Sequence, residues 1–199
     1  MPVSVDHDVR RREVAEAVWR VLAGTGFAGL SLRAVAREMG ATTGLLTHYF
    51  RTKRELVQHA LEVVHERTAP RMQEAETPDR GVAGLRVRLR AVLVDDAEAT
   101  VLSKVWVGFW DLALADAELG RGEAARYERW RDRLRPLVDE AIDAGELVGR
   151  WKDQRETVVD ILTAFTHGLV VQALFDPDRF PAERQYAVLD EIVCALFRD

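Results

Sequence analysis

The sequence has little cysteine, no strand pattern and no long uninterrupted apolar run. Its single cysteine, Cys194, excludes a disulfide within the chain, which fits a reducing cytoplasm. The longest apolar stretch, residues 158–175, is interrupted by Asp160, His167 and Gln172, and no cleavable signal opens the chain. We therefore expect no membrane-spanning segment and a cytoplasmic location. The five histidines form no HxxxH pair and there is no cysteine cluster, so we expect no metal and no other cofactor.

The chain also lacks the residue combinations on which enzymes depend. It has no nucleotide-binding loop, no internal repeat and no paired catalytic acids, since its acidic residues are scattered over helical faces. Cys194 lies within the apolar stripe of the last helix, which predicts a packed and inert thiol instead of a nucleophile. The sequence therefore gives no support to an enzyme.

Apolar residues recur at helical spacing along most of the chain. This pattern predicts an all-α protein of about nine helices, with a three-helix domain at residues 1–55 and a larger helical bundle at residues 56–199. A chain of 199 residues, 48% of them hydrophobic, is long enough to bury such cores.

Glycine and proline mark the expected interruptions of the bundle. We predict breaks at these positions: Pro78, Gly81, Gly84, Gly120 and Gly122. The first three predict a loosely structured join before a helix that starts near Leu85, and the last two separate two later helices. Pro136 lies inside another helical pattern and predicts a kink or a short break.

The segment Ser31–Leu56 combines two short helical patterns with a tight turn. Ser31 is placed to cap the first helix. Gly40 ends that helix, because glycine adopts the left-handed backbone conformation at no steric cost. The second helix begins at Thr42, its predicted N-cap. Such a helix-turn-helix places its second helix in the major groove of DNA.

The outward side of the second helix is small and polar. We call it the polar face, and its residues are Thr43, Gly44, Thr47 and His48. A threonine offers base edges a hydroxyl and a methyl group, while Gly44 lets the backbone approach the duplex. Tyr49 and Lys53 follow, and both are able to contact phosphates.

A third helix begins after the polar face. Thr52 and Glu55 form a T-x-x-E capping box, which predicts a helix that runs to about Ala75 and is bent or frayed at Pro70. Its N-terminal amides are then also able to face a phosphate.

Charge is divided unequally along the chain. Residues 1–58 contain nine Lys or Arg and six Asp or Glu, a net charge of +3, whereas the remaining 19 and 27 give −8. The positive part coincides with the helix-turn-helix, as expected for a DNA-binding domain. At the start of the first helix, Arg10, Arg11 and Arg12 form either an arm that contacts DNA or a solvated basic face.

The run TTGLLTHYFRTKREL resembles the DNA-binding region of the tetracycline-repressor family of bacterial transcription regulators. It is especially similar to the branch typified by the choline-responsive repressor of betaine synthesis. The resemblance is close over about the first 60 residues and loose beyond them. It implies the following DNA-binding residues: Ser31, Arg33, Thr42, Thr43, Gly44, Thr47, His48, Tyr49 and Lys53. Most family members carry an aromatic residue where Thr47 stands, so the base preference does not transfer.

The resemblance also implies a pocket for a small-molecule effector in the second domain. The residues that we expect to line it are Leu102, Trp106, Phe109, Trp110, Tyr127, Trp130, Phe165 and Leu169. Aromatic faces hold cations, so Asp111 or another carboxylate would complete a site for a quaternary amine. The alternative is that these aromatic stripes are ordinary core.

His167 stands where related sequences usually carry an acidic residue before the glycine that matches Gly168. Two interpretations are open for this histidine. It contacts the effector or changes its charge near neutral pH, or it is simply hydrogen-bonded at an interface.

The helix predicted over about residues 155–175 has two apolar faces and must be buried on both, and the last helix, over about residues 182–197, has one apolar stripe. They are predicted to pair with their copies across a twofold axis as a four-helix bundle, an arrangement that the resemblance also implies. The expected dimer-interface residues are Ile161, Phe165, Leu189, Ile192, Val193 and Leu196.

Together these observations predict a homodimeric, ligand-responsive regulator, most simply a repressor. It would bind a palindromic operator in double-stranded DNA and leave it when a small-molecule effector binds. Two alternatives stay open: a helical small-molecule-binding protein whose helix-turn-helix no longer regulates DNA, and a small helical enzyme, which would need turnover without DNA.

Overall fold

The computed structural model describes residues 3–76, 78–151 and 153–197, with side chains from Val9 onward. The α-helices found there are α1 Val3–Thr25, α2 Leu32–Glu38, α3 Thr43–Thr47, α4 Lys53–Glu74, α5 Gly81–Arg90, α6 Ala97–Ala115, α7 Ala117–Asp143, α8 Arg155–Phe175 and α9 Ala182–Leu196. Two short 3-10 helices follow α1 and α7, and Leu147 and Phe197 form an isolated antiparallel bridge. The predicted all-α fold with about nine helices is confirmed.

The chain packs as two compact units. Unit 1 comprises Met1–Ala69 and Lys104–Asp111, and therefore contains α1 to α3, most of α4 and the middle of α6. Its core is formed by buried apolar side chains, among them Val14, Val18, Leu22, Val35, Leu46, Leu56, Val63, Val105 and Phe109. The Phe109 ring from α6 lies 5.2 Å from the Phe27 ring, measured between centroids. The middle of α6 is thus part of the same apolar core as the N-terminal helices.

Unit 2 comprises Pro70–Ser103 and Leu112–Asp199. In it, α5 packs against α7 and α9, and α8 packs against α7 and α9. The core also contains one buried amide, Gln185, whose Oε1 accepts from the Val94 N–H at 2.9 Å. The Gln185 Nε2 group donates to the carbonyl oxygens of Val94 and Phe180. This side chain ties the segment before α6 to the start of α9, because a buried amide is stable only when hydrogen-bonded.

Helices α4 and α6 contribute residues to both units. Unit 1 extends past residue 55, since it includes α4 as far as Ala69. This division follows packing alone, so the predicted functional boundary between residues 55 and 56 stays a prediction.

The predicted loose join at Gly81 and Gly84 is instead the first turn of α5. Gly81 has a φ of +55°, and a Cβ at this position would lie 2.7 Å from Glu146 Oε2. A Cβ at Gly84 would lie 2.5 Å from the Asp79 carbonyl oxygen and 2.8 Å from Leu137 Cδ2. These glycines therefore permit close packing of α5 on α7.

The predicted break at Gly120 and Gly122 is also absent, because α7 runs continuously over Ala117–Asp143. The Asp116 side chain caps the helix by accepting from the Glu118 and Leu119 N–H groups, so the helix begins before both glycines. A Cβ at Gly120 would lie 2.8 Å from the Ala113 carbonyl oxygen, which explains glycine there. The helix also continues through Pro136, so the chain has no break at that residue.

Helix α8 is long and apolar enough to cross a membrane by length and composition alone, with a mean hydropathy of 1.7. Our expectation that no segment spans a membrane stays a prediction. The core helix of a globular protein meets the same criteria of length and composition. Helix α8 packs against α7 and α9, and 44% of its most apolar 18-residue stretch is buried.

Candidate functional site

Helix α2 begins where the sequence predicts. Ser31 has the extended backbone of an N-cap, and its Oγ accepts from the Ala34 N–H at 3.1 Å. Val35 and Ala36 turn inward and are buried, whereas Arg33 is exposed. Ser31 and Arg33 are thus exposed at the start of α2, at the opposite end of the helix from the turn that follows.

The turn between α2 and α3 depends on Gly40, whose φ is +62°. The Ala41 N–H donates to the Ala36 carbonyl oxygen at 2.9 Å, and the Gly40 N–H donates to Arg37 at 3.2 Å. This pair of bonds is the Schellman arrangement, in which the left-handed glycine lets the backbone satisfy its last carbonyls. Thr42 occupies the N-cap position of α3, but its side chain makes no cap hydrogen bond.

Helix α3 presents the polar face to solvent. The four residues of the polar face are exposed, while Leu46 and Phe50 are buried on the opposite side. The Thr47 hydroxyl donates to the Gly44 carbonyl oxygen at 2.8 Å, so its oxygen remains free to accept and its methyl stays accessible. A Cβ at Gly44 would meet only the Thr42 Oγ1 atom, at 3.8 Å. The protein itself therefore leaves open space where a duplex would approach.

The start of α4 is capped by side chains. Thr52 Oγ1 accepts from the Glu55 N–H at 3.1 Å, and Glu55 Oε2 accepts from the Arg51 N–H at 2.6 Å. Beside this cap, Lys53 is exposed and Tyr49 is half-buried. Because Thr52 accepts from the Glu55 N–H, this amide of α4 is not available to a phosphate.

The basic residues at the start of α1 are only partly paired. Arg10 forms an ion pair with Glu13 at 2.7 Å, whereas Arg11 and Arg12 are exposed. The structure is compatible with both interpretations, an arm for DNA and a solvated basic face.

The predicted effector residues are divided between the two units. In unit 1, Trp106 lies edge-on to Phe109 and its Nε1 donates to Thr68 Oγ1 at 3.2 Å. Trp110 is half-buried, and Asp111, the carboxylate considered for a cation, is exposed. The remaining predicted residues belong to unit 2: Leu102, Tyr127, Trp130, Phe165 and Leu169.

Within unit 2, aromatic side chains of α7 gather around His167 of α8. The His167 ring lies 4.9 Å from the Tyr127 ring and 6.4 Å from the Trp130 ring, measured between centroids. Its Nδ1 atom lies 2.8 Å from the Thr163 carbonyl oxygen. Burial lowers the pKa of His167, because the charged imidazolium would lose its hydration.

Three residues near this histidine escaped the sequence analysis. Thr163 precedes His167 by one helical turn and is buried. Glu123 and Arg126 form a largely buried ion pair on α7, and the Arg126 guanidinium lies 4.8 Å from the centroid of the Tyr127 ring. Each of the three lies four residues before Tyr127, Trp130 or His167, and this helical spacing was the signal by which the sequence could have indicated them.

The predicted dimer residues fall into two groups. Leu189, Val193 and Leu196 are fully buried in the core of unit 2 and have almost no accessible surface. They pack within a single chain and are not accessible to a partner, so this part of the predicted interface is corrected. Ile161, Phe165 and Ile192 are only half-buried and remain accessible to a partner.

Cys194 is exposed, contrary to the predicted packed thiol. The buried face of α9 is formed by Leu189, Val193 and Leu196, and the neighbour of Val193 points away from it. The Arg86 Nη2 group lies 3.5 Å from its sulfur. Among the residues that the structure describes, no group of three or more His, Cys, Asp or Glu is arranged to hold a metal ion.

Comparison with known proteins identifies the two halves of the chain. Residues 14–60 match the family described as "Bacterial regulatory proteins, tetR family", and residues 82–198 match "BetI-type transcriptional repressor, C-terminal". The transcriptional regulator PksA of Bacillus subtilis (strain 168) is 29% identical over 92% of this chain and 88% of its own length. The regulator BetI of Burkholderia ambifaria (strain MC40-6) is 30% identical over 67% of this chain and 70% of its own length.

Solved structures share the fold. A transcriptional regulator from Saccharomonospora viridis, solved in complex with choline, has a TM-score of 0.85 at 17% identity and covers 96% of this chain and 100% of its own. A regulator from a Rhodococcus species has a TM-score of 0.79 at 24% identity, over 94% of this chain and 95% of its own. The chain therefore belongs to the tetracycline-repressor family of ligand-responsive transcription regulators, which are not enzymes, and carries a C-terminal domain of the BetI repressor type.

Proposed function

We propose that this chain acts in the cytoplasm as a homodimeric repressor, which binds a palindromic operator and is released from it by a small-molecule effector. The observation that carries the proposal is the polar face of α3, exposed and held behind the Gly40 turn. In an operator complex each α3 would enter a major groove, and the two half-site centres would lie about 34 Å apart.

The accessible side of α8 supports the dimer. Ile161, Phe165 and Val171 are half-buried, and Phe175 is 82% exposed at the helix end. The spacings between these positions are four, six and four residues, which keeps them within about 120° of the helix circumference and so forms an apolar stripe along one side. Two small residues within it, Ala164 and Gly168, are exposed and would let a second α8 approach closely. Ile192 of the neighbouring helix α9 is also half-buried, as are Tyr186 and Val188.

Two continuous helices support release by an effector. Because α4 and α6 contribute residues to both units, a ligand that displaces either helix in unit 2 also acts on unit 1. A ligand shifts such an equilibrium only by its difference in affinity between the two conformations. The effector would therefore fit the conformer whose two DNA-binding domains have the wrong spacing for the operator.

Selection of bound duplexes from a random DNA library by the purified protein tests the function. The selected duplex is then titrated at two salt concentrations. We expect an inverted repeat whose affinity falls steeply as salt rises, because phosphate contacts release counterions.

A library with no enriched sequence would contradict the proposal, provided that the selection is repeated after unfolding and refolding to remove any bound ligand. A protein that still binds small molecules after this treatment would then be a ligand-binding protein without DNA-regulatory activity.

A further inference from the structure

Several buried polar atoms of unit 2 have no hydrogen-bond partner among the residues that the structure describes, and two of these atoms belong to residues that are themselves buried. They are the indole Nε1 of Trp130, a residue 8% exposed, and the Oγ1 of Thr163, a residue 3% exposed. A buried polar group without a partner lowers stability, and natural cores contain few of them. Trp130 and Thr163 lie on α7 and α8, which pack against each other, and this makes them the strongest candidates among these atoms for contact with a ligand.

The two groups lie at the same level of the α7 and α8 pair. Tyr127 contacts His167 near one end of this contact, and Arg131 pairs with Asp160 at 2.7 Å further along. Trp130 and Thr163 occupy intermediate positions on the same two helices. Both are near His167, because the Trp130 ring lies 6.4 Å from the His167 ring and the Thr163 carbonyl oxygen lies 2.8 Å from His167 Nδ1. We call these three residues the polar cluster.

Thr166 shows that a buried threonine of α8 is able to satisfy its hydroxyl within the helix, as Thr163 does not. Its hydroxyl, on the same helix and equally buried, donates to the Leu162 carbonyl oxygen at 2.7 Å. This is the usual way in which a helical threonine satisfies its hydroxyl. Thr163 makes no such bond and so keeps its hydroxyl available.

His167 adds an acceptor to the cluster. The Thr163 carbonyl oxygen can only accept, so the Nδ1 atom beside it carries the hydrogen. In the neutral ring, which burial favours, Nε2 then carries a lone pair. The cluster thus offers an indole donor, a hydroxyl and an imidazole acceptor.

The charges around the cluster are unfavourable for a cation. Both carboxylate oxygens of Glu123 are engaged by Arg126, at 2.6 and 2.9 Å. The Arg126 guanidinium also lies over the Tyr127 ring, so a cation of the protein itself already contacts this aromatic face. Arg131 is likewise paired, with Asp160 and Glu128, so each of these three carboxylates already has an arginine beside it and a buried ligand cation would have to compete with that arginine.

We propose that Trp130, Thr163 and His167 bind the effector by hydrogen bonds, and that this effector is a neutral molecule with both a donor and an acceptor, not a quaternary ammonium ion. This inference rests on the proposed ligand response and specifies its chemistry. It separates this chain from the choline-bound structure that shares its fold.

Two probe molecules of nearly equal shape test the proposal. Choline and 3,3-dimethylbutan-1-ol both carry a hydroxyl, but the alcohol replaces the ammonium nitrogen by carbon and is neutral. Each is titrated into the full-length, ¹⁵N-labelled protein, and the five indole N–H signals are followed by NMR. The Trp130 signal is assigned as the one that disappears in Trp130→Phe.

We expect the alcohol to shift the Trp130 signal and choline to act at least about tenfold more weakly, because an unpaired cation is costly to bury. Thr163→Val should remove the response to the alcohol and leave the melting temperature unchanged or higher. Thr166→Val is the matched control, and it should keep the response while it lowers the melting temperature.

Equal or stronger action of choline would overturn the proposal, and so would a Trp130 signal that neither probe shifts at saturation. An unchanged response in Thr163→Val would also overturn it. Binding to the selected operator is measured on the same preparation, so failure of the polar cluster is distinguished from failure of the DNA-binding function.

Discussion

At the scale of single residues, we expect base recognition and phosphate contact to depend on different side chains. The Thr47 hydroxyl gives its hydrogen to Gly44, so toward DNA it acts as an acceptor beside a methyl group. We expect Thr47→Ala to change which operator variants bind, by about 1–3 kcal/mol at the affected base pair. Binding to a panel of single-base operator variants measures this change.

Lys53→Ala is the matched control for this prediction. Lys53 is exposed next to α3 and is expected to contact only phosphate, so its loss should weaken all duplexes alike and reduce the salt slope by about 0.9. If Thr47→Ala also weakens every duplex by the same factor, Thr47 does not recognise a base.

His167 should make the stability of the protein depend on pH. Burial lowers its pKa in the folded state, so below the ordinary value of about 6.5 the unfolded chain binds the proton more readily. The free energy of unfolding should therefore fall as the pH decreases through this range. The charged and titratable groups near this ring are Tyr127, the Glu123–Arg126 pair and Arg131.

Urea unfolding of the wild type and His167→Gln, at several values between about pH 8 and pH 5, measures this effect. The variant should show a flatter dependence on pH in this range. Identical curves for the two proteins would show that His167 is not the group responsible.

At the scale of elements, the two glycines around α3 have opposite roles. Gly40 needs its left-handed backbone, so Gly40→Ala should destabilise the protein by about 1 kcal/mol. Gly44 lies in a helix with open space where a Cβ would be, so Gly44→Ala should stabilise by about 0.5–1 kcal/mol and still weaken operator binding. Thermal unfolding and operator titration of both variants test the pair. Undiminished operator affinity in Gly44→Ala would mean that the duplex does not approach this backbone.

Local signals explain why the helix-turn-helix could be predicted from the sequence. Ser31, Gly40 and Thr52 act on backbone groups within five residues of themselves, so their meaning is contained in the neighbouring sequence. The bundle glycines differ, because Gly81 and Gly84 are explained by contacts with Glu146 and Leu137, which are distant in the sequence. Helix propensity alone therefore predicts breaks at these two glycines, although both lie in the first turn of α5.

The same difference applies to the candidate sites. The exposed residues of α3 follow from helical periodicity and one turn, whereas the polar cluster depends on the register between α7 and α8. Nothing in the sequence distinguishes Thr163, which lacks a partner, from Thr166, which has one. The resemblance indicated that an effector site exists, but only the packing of the helices indicates its chemistry.

At the scale of the whole molecule, one surface residue should control assembly without affecting the fold. Ile192 is half-buried in the single chain, whereas Leu189 of the same helix is fully buried. We expect Ile192→Asp to keep the helical content but to produce monomers with operator affinity near that for random DNA. Leu189→Asp should instead unfold unit 2, because it buries an unpaired charge. Light scattering and circular dichroism distinguish these outcomes, and a dimeric Ile192→Asp would exclude this part of α9 from the interface.

The most direct test of the account is the affinity of the protein for its selected operator after five base pairs are inserted between the half-sites. This insertion turns one half-site by about half a helical turn, to the opposite side of the duplex. A dimer that reads both half-sites with two α3 helices should then bind no better than it binds random DNA, while insertion of a full turn should be measured as a control for length. Unchanged affinity after the five-base-pair insertion would contradict a dimeric reader with fixed spacing.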